Sequence, residues 1–188
     1  MGSTWIMSLM ISFIFIFTAF LILAMNFTKV YKMKNEVTTI LEKYEGVTRS
    51  SKGEKSNGWG SISLVKNYLS ASGYSATGNC PVDTESDPKG ERLGLWYGAT
   101  DLVANNGVLK KVSDSNEKFY FCVRANNIDN SKMTYFDIRL FLKFNLPVIG
   151  NITAFRINGS TIDIKNAYCN GFESGYSTGK CIATKVTT

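Results

Sequence analysis

The chain has 188 residues, a length typical of one globular domain with an accessory segment. Its 21 basic and 15 acidic residues leave a formal net charge of +6, but beyond residue 45 the two signs are interspersed. This distribution favours an ordinary solvated surface over a nucleic-acid-binding one. The absence of histidine removes the usual general base of enzymes and makes a structural zinc site improbable.

The N-terminal segment is a candidate membrane span. Residues 1–28 carry no charged side chain, and residues 5–27 are almost entirely apolar. As a helix rising ~1.5 Å per residue, residues 5–28 reach about 36 Å, enough to cross a hydrocarbon core of about 30 Å. A retained anchor is preferred over a cleaved secretory signal or a buried core helix. The bulky side chains expected to contact lipid or neighbouring helices are Trp5, Phe13, Phe15, Phe17, Phe20, Leu21 and Leu23.

The same helix is predicted to continue to about residue 45, where Gly46 is the expected terminator. Apolar residues form one stripe along this helix, and polar residues occupy its other faces. The stripe consists of Val30, Met33, Val37, Ile40, Leu41 and Tyr44. The predicted fold class is α+β, with this long helix packed on a small antiparallel sheet beside one further short helix. The predicted organisation is a transmembrane segment (1–28), its amphipathic continuation (29–45), a polar linker (46–60) and an extracytoplasmic α+β domain (61–188).

Within the α+β domain, a short helix is predicted over residues 61–72, with Gly73 at its C-cap. Residues 75–92 are interpreted as a loop, and residues 118–125 as a strand rich in aromatic and β-branched side chains. A longer strand is predicted over residues 134–146, because the even positions from Phe136 to Leu146 are all apolar; Pro147 ends it.

Two Asn-Gly dipeptides predict turns. Asn158-Gly159 lies between two β-like runs, 152–157 and 161–164, and both of its residues tolerate positive φ, so a hairpin is predicted there. Asn106-Gly107 is a weaker candidate, between Leu102-Val103 and Val108-Leu109. A last strand is predicted at residues 181–186.

All four cysteines follow the apolar segment: Cys80, Cys122, Cys169 and Cys181. An even number of cysteines in a domain outside the cytosol predicts two disulfides. A Cys169–Cys181 bond closes a short loop, worth about 3 kcal/mol in chain-entropy models, and leaves Cys80 and Cys122 to pair with each other. Three connectivities are formally open.

The membrane orientation receives two opposing signals. Lys29, Lys32 and Lys34 flank the C-terminal end of the span, and the positive-inside rule places such a flank in the cytoplasm. The cysteines and the Asn/Ser/Thr/Gly-rich composition favour an extracytoplasmic domain. We expect a single-pass protein of the cell membrane whose C-terminal domain lies outside the cytosol or at the cell surface.

The chain offers little catalytic chemistry. It contains no nucleophile-elbow or phosphate-binding motif, so an enzyme is not expected; the only acid–base alternative uses carboxylates such as Asp101, Asp137 or Asp163. Trp96 and Tyr97 are expected to pack in the core, and Trp59 to contact a partner or the membrane. Four nearby carboxylates are weak calcium candidates, although a solvated acidic loop is the default interpretation. They are Asp83, Glu85, Asp87 and Glu91.

An apolar N-terminal helix that becomes amphipathic and leads into a β-sheet with a cysteine-closed C-terminal loop resembles the type IV pilins and pseudopilins, including tight-adherence-type pilin-like proteins. The resemblance implies that the apolar half of the helix holds the subunit in the membrane before assembly and packs into a filament core afterwards. It also implies that the loop between Cys169 and Cys181 is a surface for adhesion or for neighbouring subunits. In that family a Gly precedes an apolar residue and a Glu follows shortly, whereas here the first acidic residue is Glu36. Within that family, the chain is most similar to a minor or tip subunit of a pilus or secretion pseudopilus.

The expected partners are membrane lipid and other pilin-like subunits bound through the N-terminal helix. No nucleic acid, small-molecule substrate or cofactor is indicated, apart from the weak calcium candidates. The alternative function is a monomeric, membrane-tethered extracellular binding module, which requires no assembly.

Overall fold

The computed structural model describes residues 2–49, 60–82, 92–103, 107–127, 133–146, 150–173 and 181. It confirms an α+β fold in which a long N-terminal helix packs on an antiparallel sheet together with one shorter helix. The helices are α1 (Gly2–Lys43) and α2 (Ser61–Ala71). The strands are β1 (Gly78–Asn79), β2 (Arg92–Gly98), β3 (Lys110–Lys111), β4 (Lys118–Phe119), β5 (Phe121–Asn127), β6 (Met133–Leu146), β7 (Gly150–Ser160) and β8 (Ile164–Lys165).

The main sheet is antiparallel, with the strand order β3-β2-β5-β6-β7. β8 pairs with the start of β6, beyond the end of β7, and β1 pairs with β4 in a separate two-stranded sheet. At the centre of the main sheet, Ile138 of β6 pairs with Val123 of β5 on one side and with Gly159 of β7 on the other. The long β6–β7 hairpin is therefore the largest element against which α1 can pack.

β6 shows the predicted alternation. Its even positions Phe136, Ile138, Leu140 and Leu142 are all buried. Phe141 is also buried, on the opposite face, because Gly78 of β1 lies against its ring at a distance that leaves no room for a Cβ. The small β1–β4 sheet thus covers part of the second face of the main sheet.

α1 packs on the first face of the sheet through one stripe. Val30, Met33, Val37 and Leu41 are buried, as their spacing predicts. Ile40 is partly buried against the same core, whereas Tyr44 lies at the exposed end of the stripe.

Both helices end in a Schellman motif, but only one uses glycine at the left-handed position. After α2, Gly73 has φ +70°, and the next amide, of Tyr74, donates to Leu69 O at 3.0 Å. After α1, the left-handed residue is Glu45, with φ 52°, rather than the predicted Gly46.

Gly46 is instead required by a close approach of two chain segments. Its amide donates to Leu41 O at 2.8 Å and completes the Schellman motif of α1. A Cβ at Gly46 would lie 2.4 Å from the backbone oxygen of Tyr168, which no side chain could accommodate. Glycine is therefore required at this position both by the close approach and by its positive φ of +124°.

Residues 46–49 of the predicted linker are held tightly, and residues 50–59, including Trp59, lie outside the described residues. Val47 is fully buried, and Thr48 N donates to Ser61 Oγ at 2.8 Å while Ser61 N donates to Thr48 Oγ1 at 2.8 Å. Ser61 Oγ also donates to Gly46 O at 2.8 Å. These bonds fix the start of α2 beside the end of α1.

Tyr74 connects the segment after α2 to the sheet. Its hydroxyl donates to Tyr120 O at 2.8 Å and accepts from Phe141 N at 2.8 Å. Burial raises the pKa of Tyr74 above its ordinary value, although the bond from Phe141 N acts in the opposite direction. The phenol therefore remains neutral and satisfies two backbone groups of the interior.

The predicted hairpin at Asn158-Gly159 is wrong. Both residues lie inside β7 and pair with Arg139 and Ile138 of β6. A Cβ at Gly159 would lie 2.6 Å from the side chain of Lys34, on α1, so any larger residue would require that side chain to shift. After Ser160 the pairing with β6 is interrupted for three residues and resumes in the same direction as β8. The actual hairpin joins β6 to β7, just after the predicted strand end at residue 146.

Three other strand predictions need correction. β1 lies inside the stretch 75–92 interpreted as a loop, and β2 begins at the last residue of that stretch. The predicted strand 118–125 is divided at Tyr120, whose amide donates to Ala99 O. β3 pairs with β2, whereas Leu102 and Val103 are in no strand; this differs from the pairing expected around Asn106-Gly107. Of the predicted strand 181–186, only Cys181 is described.

Two disulfides link the domain as predicted. Cys80, after β1, is bonded to Cys122 of β5, with their Cα atoms 5.9 Å apart. Cys169 is bonded to Cys181, with their Cα atoms 5.0 Å apart. All four residues are buried, so each bond secures a peripheral segment to the core.

Candidate membrane and assembly surface

The N-terminal half of α1 projects from the domain. All but Ala19 of residues 4–22 are exposed, and at ~1.5 Å per residue this segment extends about 28 Å. The helix is long and apolar enough to cross a membrane, and none of its most apolar 18-residue window is buried in the structure. This length is close to the thickness of a hydrocarbon core, about 30 Å.

Six of the seven side chains predicted for this surface are exposed, from 45% for Leu21 to 77% for Trp5. The others are Phe13, Phe15, Phe17 and Phe20, and the rings of Phe13 and Phe17 stack with their centroids 6.4 Å apart. Leu23 differs, because it is partly buried against the domain's core. It marks the point at which α1 begins to pack on the sheet.

Two threonine side chains of α1 are satisfied within the helix. Thr18 Oγ1 donates to Ile14 O at 2.9 Å and Thr28 Oγ1 donates to Ala24 O at 2.9 Å. Such back-bonding lets hydroxyl groups enter an apolar environment without an orphaned donor. Ser8 and Ser12, one turn apart, border a shallow groove beside Trp5.

The junction between the two halves of α1 carries the predicted lysine cluster. Lys29 and Lys32 are exposed. Lys34 is partly covered, because its chain lies against Gly159 and its Nζ lies 4.4 Å from the centroid of the Tyr31 ring. The structure therefore places two of the three lysines where they can reach solvent or headgroups.

The structure does not bring the candidate carboxylates together. Asp101 accepts from the buried Lys66 Nζ at 2.9 Å and from Val103 N at 2.9 Å. Asp163 is exposed in the short segment between β7 and β8. Asp137 belongs to a third environment, on the face of the sheet opposite α1.

That opposite face holds an arrangement that the sequence reasoning missed. Trp96 of β2 lies between two guanidinium groups, with the Cζ atoms of Arg124 and Arg139 at 4.8 Å and 5.0 Å from its ring centroid. Arg124 pairs with Asp137 at 2.8 Å. The detectable signal was the alternation of charged and apolar residues along β5 and β6, which places Arg124, Asp137 and Arg139 on one face.

The arrangement explains why Trp96 is buried, as predicted, although it lies on the less covered face. The two cations lie over its ring, where cation–π attraction is favourable, and Asp137 also accepts from Asn126 and Ser160. Tyr97, on the other face, is buried as predicted and stacks on Phe172 with ring centroids 4.3 Å apart. Burial raises the pKa of Tyr97, with a further contribution from Glu173.

The calcium candidates Asp83, Glu85, Asp87 and Glu91 lie outside the described residues. In the part of the chain that the structure describes, no three acidic or thiol groups lie close enough to hold a metal ion.

No protein-family model matches the chain, and comparisons with curated proteins and with solved structures give no match either. The function of the chain must therefore be argued from its own geometry.

Proposed function

We propose that the protein is a single-pass, membrane-anchored subunit of pilin-like type, held in the bilayer by the exposed half of α1 and presenting its sheet domain outside the cytosol. One observation carries the proposal: a single helix is exposed over residues 4–22, apart from Ala19, and then enters the core of the domain at Leu23. A soluble protein would expose this apolar surface to water at high cost. The two disulfides support an oxidising location.

The mechanism of assembly would be packing between membrane helices. Lipid tails are as apolar as leucine or phenylalanine, so a helix exchanges lipid for a neighbouring helix at little transfer cost. From Ser3 to Glu45 the chain contains neither proline nor glycine, the usual causes of a kink. Because the same straight helix is part of the domain's core, the way in which the membrane halves of neighbouring subunits pack would determine where their sheet domains lie.

The charge pattern of α1 supports a minor or tip subunit rather than a repeating one. Its first acidic residue is Glu36, which follows the membrane half. Neighbouring subunits therefore cannot form a charge pair within the apolar layer through this helix. A subunit at the end of a filament contacts fewer neighbours than a subunit in its core, so it requires fewer such charge pairs.

Removal of the residues before Thr28 tests the anchor directly. We expect the truncated protein to leave the membrane fraction, because the remaining part of α1 is amphipathic and packed on the sheet. Retention of the truncated protein in the membrane, or in a filament, would show the proposal to be wrong.

Site-specific photo-crosslinking tests the assembly. A crosslinker at Phe15, exposed on the membrane half, should join α1 to the α1 of neighbouring subunits in native membranes. The same crosslinker at Thr39, exposed on the packed half, is the matched control and should give far fewer such products.

The tethered binding module is the alternative, and the uncharged membrane half of α1 favours it. A monomeric anchor needs no specific contact in the lipid, so crosslinks from Phe15 should then reach lipid alone. Crosslinked multimers would exclude this alternative.

A further inference from the structure

α1 and β6 run antiparallel. Gly46, just beyond α1, lies against the ring of Phe136 near the start of β6. Earlier in α1, Lys34 lies against Gly159, which pairs with Ile138 further along β6. The membrane half of α1 therefore lies toward the C-terminal end of β6. The β6–β7 hairpin ends on the membrane side of the domain.

Two basic residues of this hairpin lie close to the level at which α1 leaves the domain. At ~3.3 Å per residue, Lys143 and Arg156 are about 17 Å and about 10 Å beyond the point that Lys34 contacts. At ~1.5 Å per residue, the same distances along α1 lead from Lys34 back to about residues 23–27. The hairpin thus brings cations to the level at which α1 leaves the domain, within about two helical turns of Lys29 on its membrane side.

Along α1, β6 and β7, the charges on the membrane side are all basic. Three lysines precede the first acidic residue of α1, Glu36. Between Asp137 and Asp163 the sequence has three basic residues and no acidic one. Two acidic residues lie beside the same end of the sheet but are already paired: Asp101, after β2, with Lys66, and Glu117, before β4, with Lys110.

Four of the basic side chains on this side are exposed, and we call them the basic rim: Lys29, Lys32, Lys143 and Arg156. Three aromatic side chains in the same parts of α1 and β7 are half exposed: Phe27 at 52%, Tyr31 at 48% and Phe155 at 55%. Aromatic rings with neighbouring cations are the side chains typical of the membrane–water interface.

We propose that the basic rim binds the phosphate groups of anionic phospholipids in the leaflet from which α1 emerges, so that the β6–β7 side of the domain rests on the bilayer. The inference depends on the proposed anchoring by α1, which keeps headgroups continuously near the rim. A negative membrane surface attracts cations within about a Debye length, so each rim residue adds to the binding.

This surface also accounts for the opposing orientation signals. Lys29 and Lys32 flank the span on the side of the domain, where the positive-inside rule would predict cytoplasm. As ligands of lipid phosphates they have a role on the outer side as well. The aromatic side chains beside them would insert at the headgroup level and fix the tilt of the domain.

The test measures lipid selectivity of the full-length protein. Detergent-solubilised protein is titrated with phosphatidylglycerol or with phosphatidylcholine, and bound lipids are counted by native mass spectrometry. We expect the wild type to prefer phosphatidylglycerol by at least about 25-fold, the contribution of two rim charges at about fivefold each. The double variant Lys143→Gln/Arg156→Gln should bind phosphatidylglycerol about 25-fold more weakly, at about fivefold per charge, with phosphatidylcholine binding unchanged.

The chain offers a matched control at the other end of the same elements. Lys43, in the last turn of α1, and Lys165, in β8 beside the start of β6, are both exposed. Lys43→Gln/Lys165→Gln removes the same net charge and should change phosphatidylglycerol binding by less than about twofold. Lys143→Arg/Arg156→Lys keeps the charge and should retain the selectivity.

The inference is overturned if the wild type shows no preference for phosphatidylglycerol, or if the control variant loses as much binding as the rim variant. Its failure differs from that of the proposed function. Extraction of neutral phosphatidylcholine liposomes with alkaline carbonate reports only whether α1 anchors the protein. Loss of the wild type from those liposomes would contradict the anchor itself, whereas retention without lipid selectivity would contradict the rim alone.

Discussion

Residues 4–22 and residues 23–43 of α1 form one uninterrupted helix, yet only the second half is buried along a stripe. The first half is more apolar, so hydrophobicity by itself does not decide which half packs on the sheet. The second half has its apolar residues on one face, which a sheet can cover completely. The first half is apolar all round, and a single sheet could cover only part of it. The periodicity of apolar residues therefore separates the half that folds into the domain from the half that requires another apolar environment.

A buried charge in the packed half should have the largest effect. Val37 is fully buried between α1 and the sheet, so Val37→Asp would place an unpaired carboxylate in the core. We expect a loss of at least about 4 kcal/mol in the free energy of unfolding. Chemical denaturation of the full-length protein in detergent, followed by near-ultraviolet circular dichroism, measures it. Thr39→Asp, on the exposed side of the same turn, should change stability by less than about 0.5 kcal/mol.

A charge in the exposed half should act on insertion rather than on folding. Phe17→Arg is expected to disfavour membrane insertion by about 3 kcal/mol, the difference between phenylalanine and arginine near the centre of a span. The membrane-bound fraction after carbonate extraction measures the loss, and Phe17→Leu should remain bound. If Phe17→Arg lowered the unfolding midpoint of the domain as strongly as Val37→Asp, the division of α1 into two halves would be wrong.

The domain depends on polar contacts as well as on the stripe of α1, and Tyr74 tests this. Tyr74→Phe leaves Phe141 N and Tyr120 O without their partner, at a cost of about 2 kcal/mol in the free energy of unfolding. Membrane insertion should be unaffected.

The same phenol predicts a pH dependence. Burial raises the pKa of Tyr74, so the stability that it contributes is complete below the unfolded value of about 10 and is lost as the pH rises above it. Only the unfolded chain releases the proton in that range. Denaturation between pH 7 and pH 11 should show a steeper loss for the wild type than for Tyr74→Phe, which retains the smaller contribution of Tyr97. Equal slopes would show that Tyr74 does not titrate in this way.

Periodic patterns allowed the larger elements to be predicted from the sequence. The helical stripe of α1, the short α2 with Gly73 after it, and the alternation in β6 all depend on local spacing, which the folded chain preserves. The exposure of Trp5 and Phe13 also follows from composition, because no element of the domain could cover a helix that is apolar on every face.

The failures involve residues whose role is set by a distant partner. Gly159 has the sequence context of a turn but lies against the side chain of Lys34, more than a hundred residues earlier. β2 lacks alternation, and its burial depends on Phe172 on one face and on Arg124 and Arg139 on the other. Local sequence patterns carry no information about such contacts, so neither the pairing of β7 nor the position of Trp96 could be derived.

The smallest predicted effect concerns the point at which the packed half of α1 ends. Glu45 holds a left-handed conformation, with φ 52°, that favours glycine, and its side chain is exposed. Glu45→Gly should therefore stabilise the domain by about 0.5–1 kcal/mol, since relief of the strained backbone exceeds the added entropy of the unfolded chain.

Gly73 provides the reciprocal comparison, because it occupies the equivalent position after α2 with φ +70°. Gly73→Ala should destabilise the domain by about 1 kcal/mol, and both changes can be measured by the same denaturation in detergent. Stability changes of opposite sign at the two positions would show that backbone conformation, and not the contacts of the side chain gained or lost, determines each result. A destabilising Glu45→Gly would instead mean that the Glu45 side chain stabilises the end of α1, and the left-handed residue there would then be maintained by its contacts.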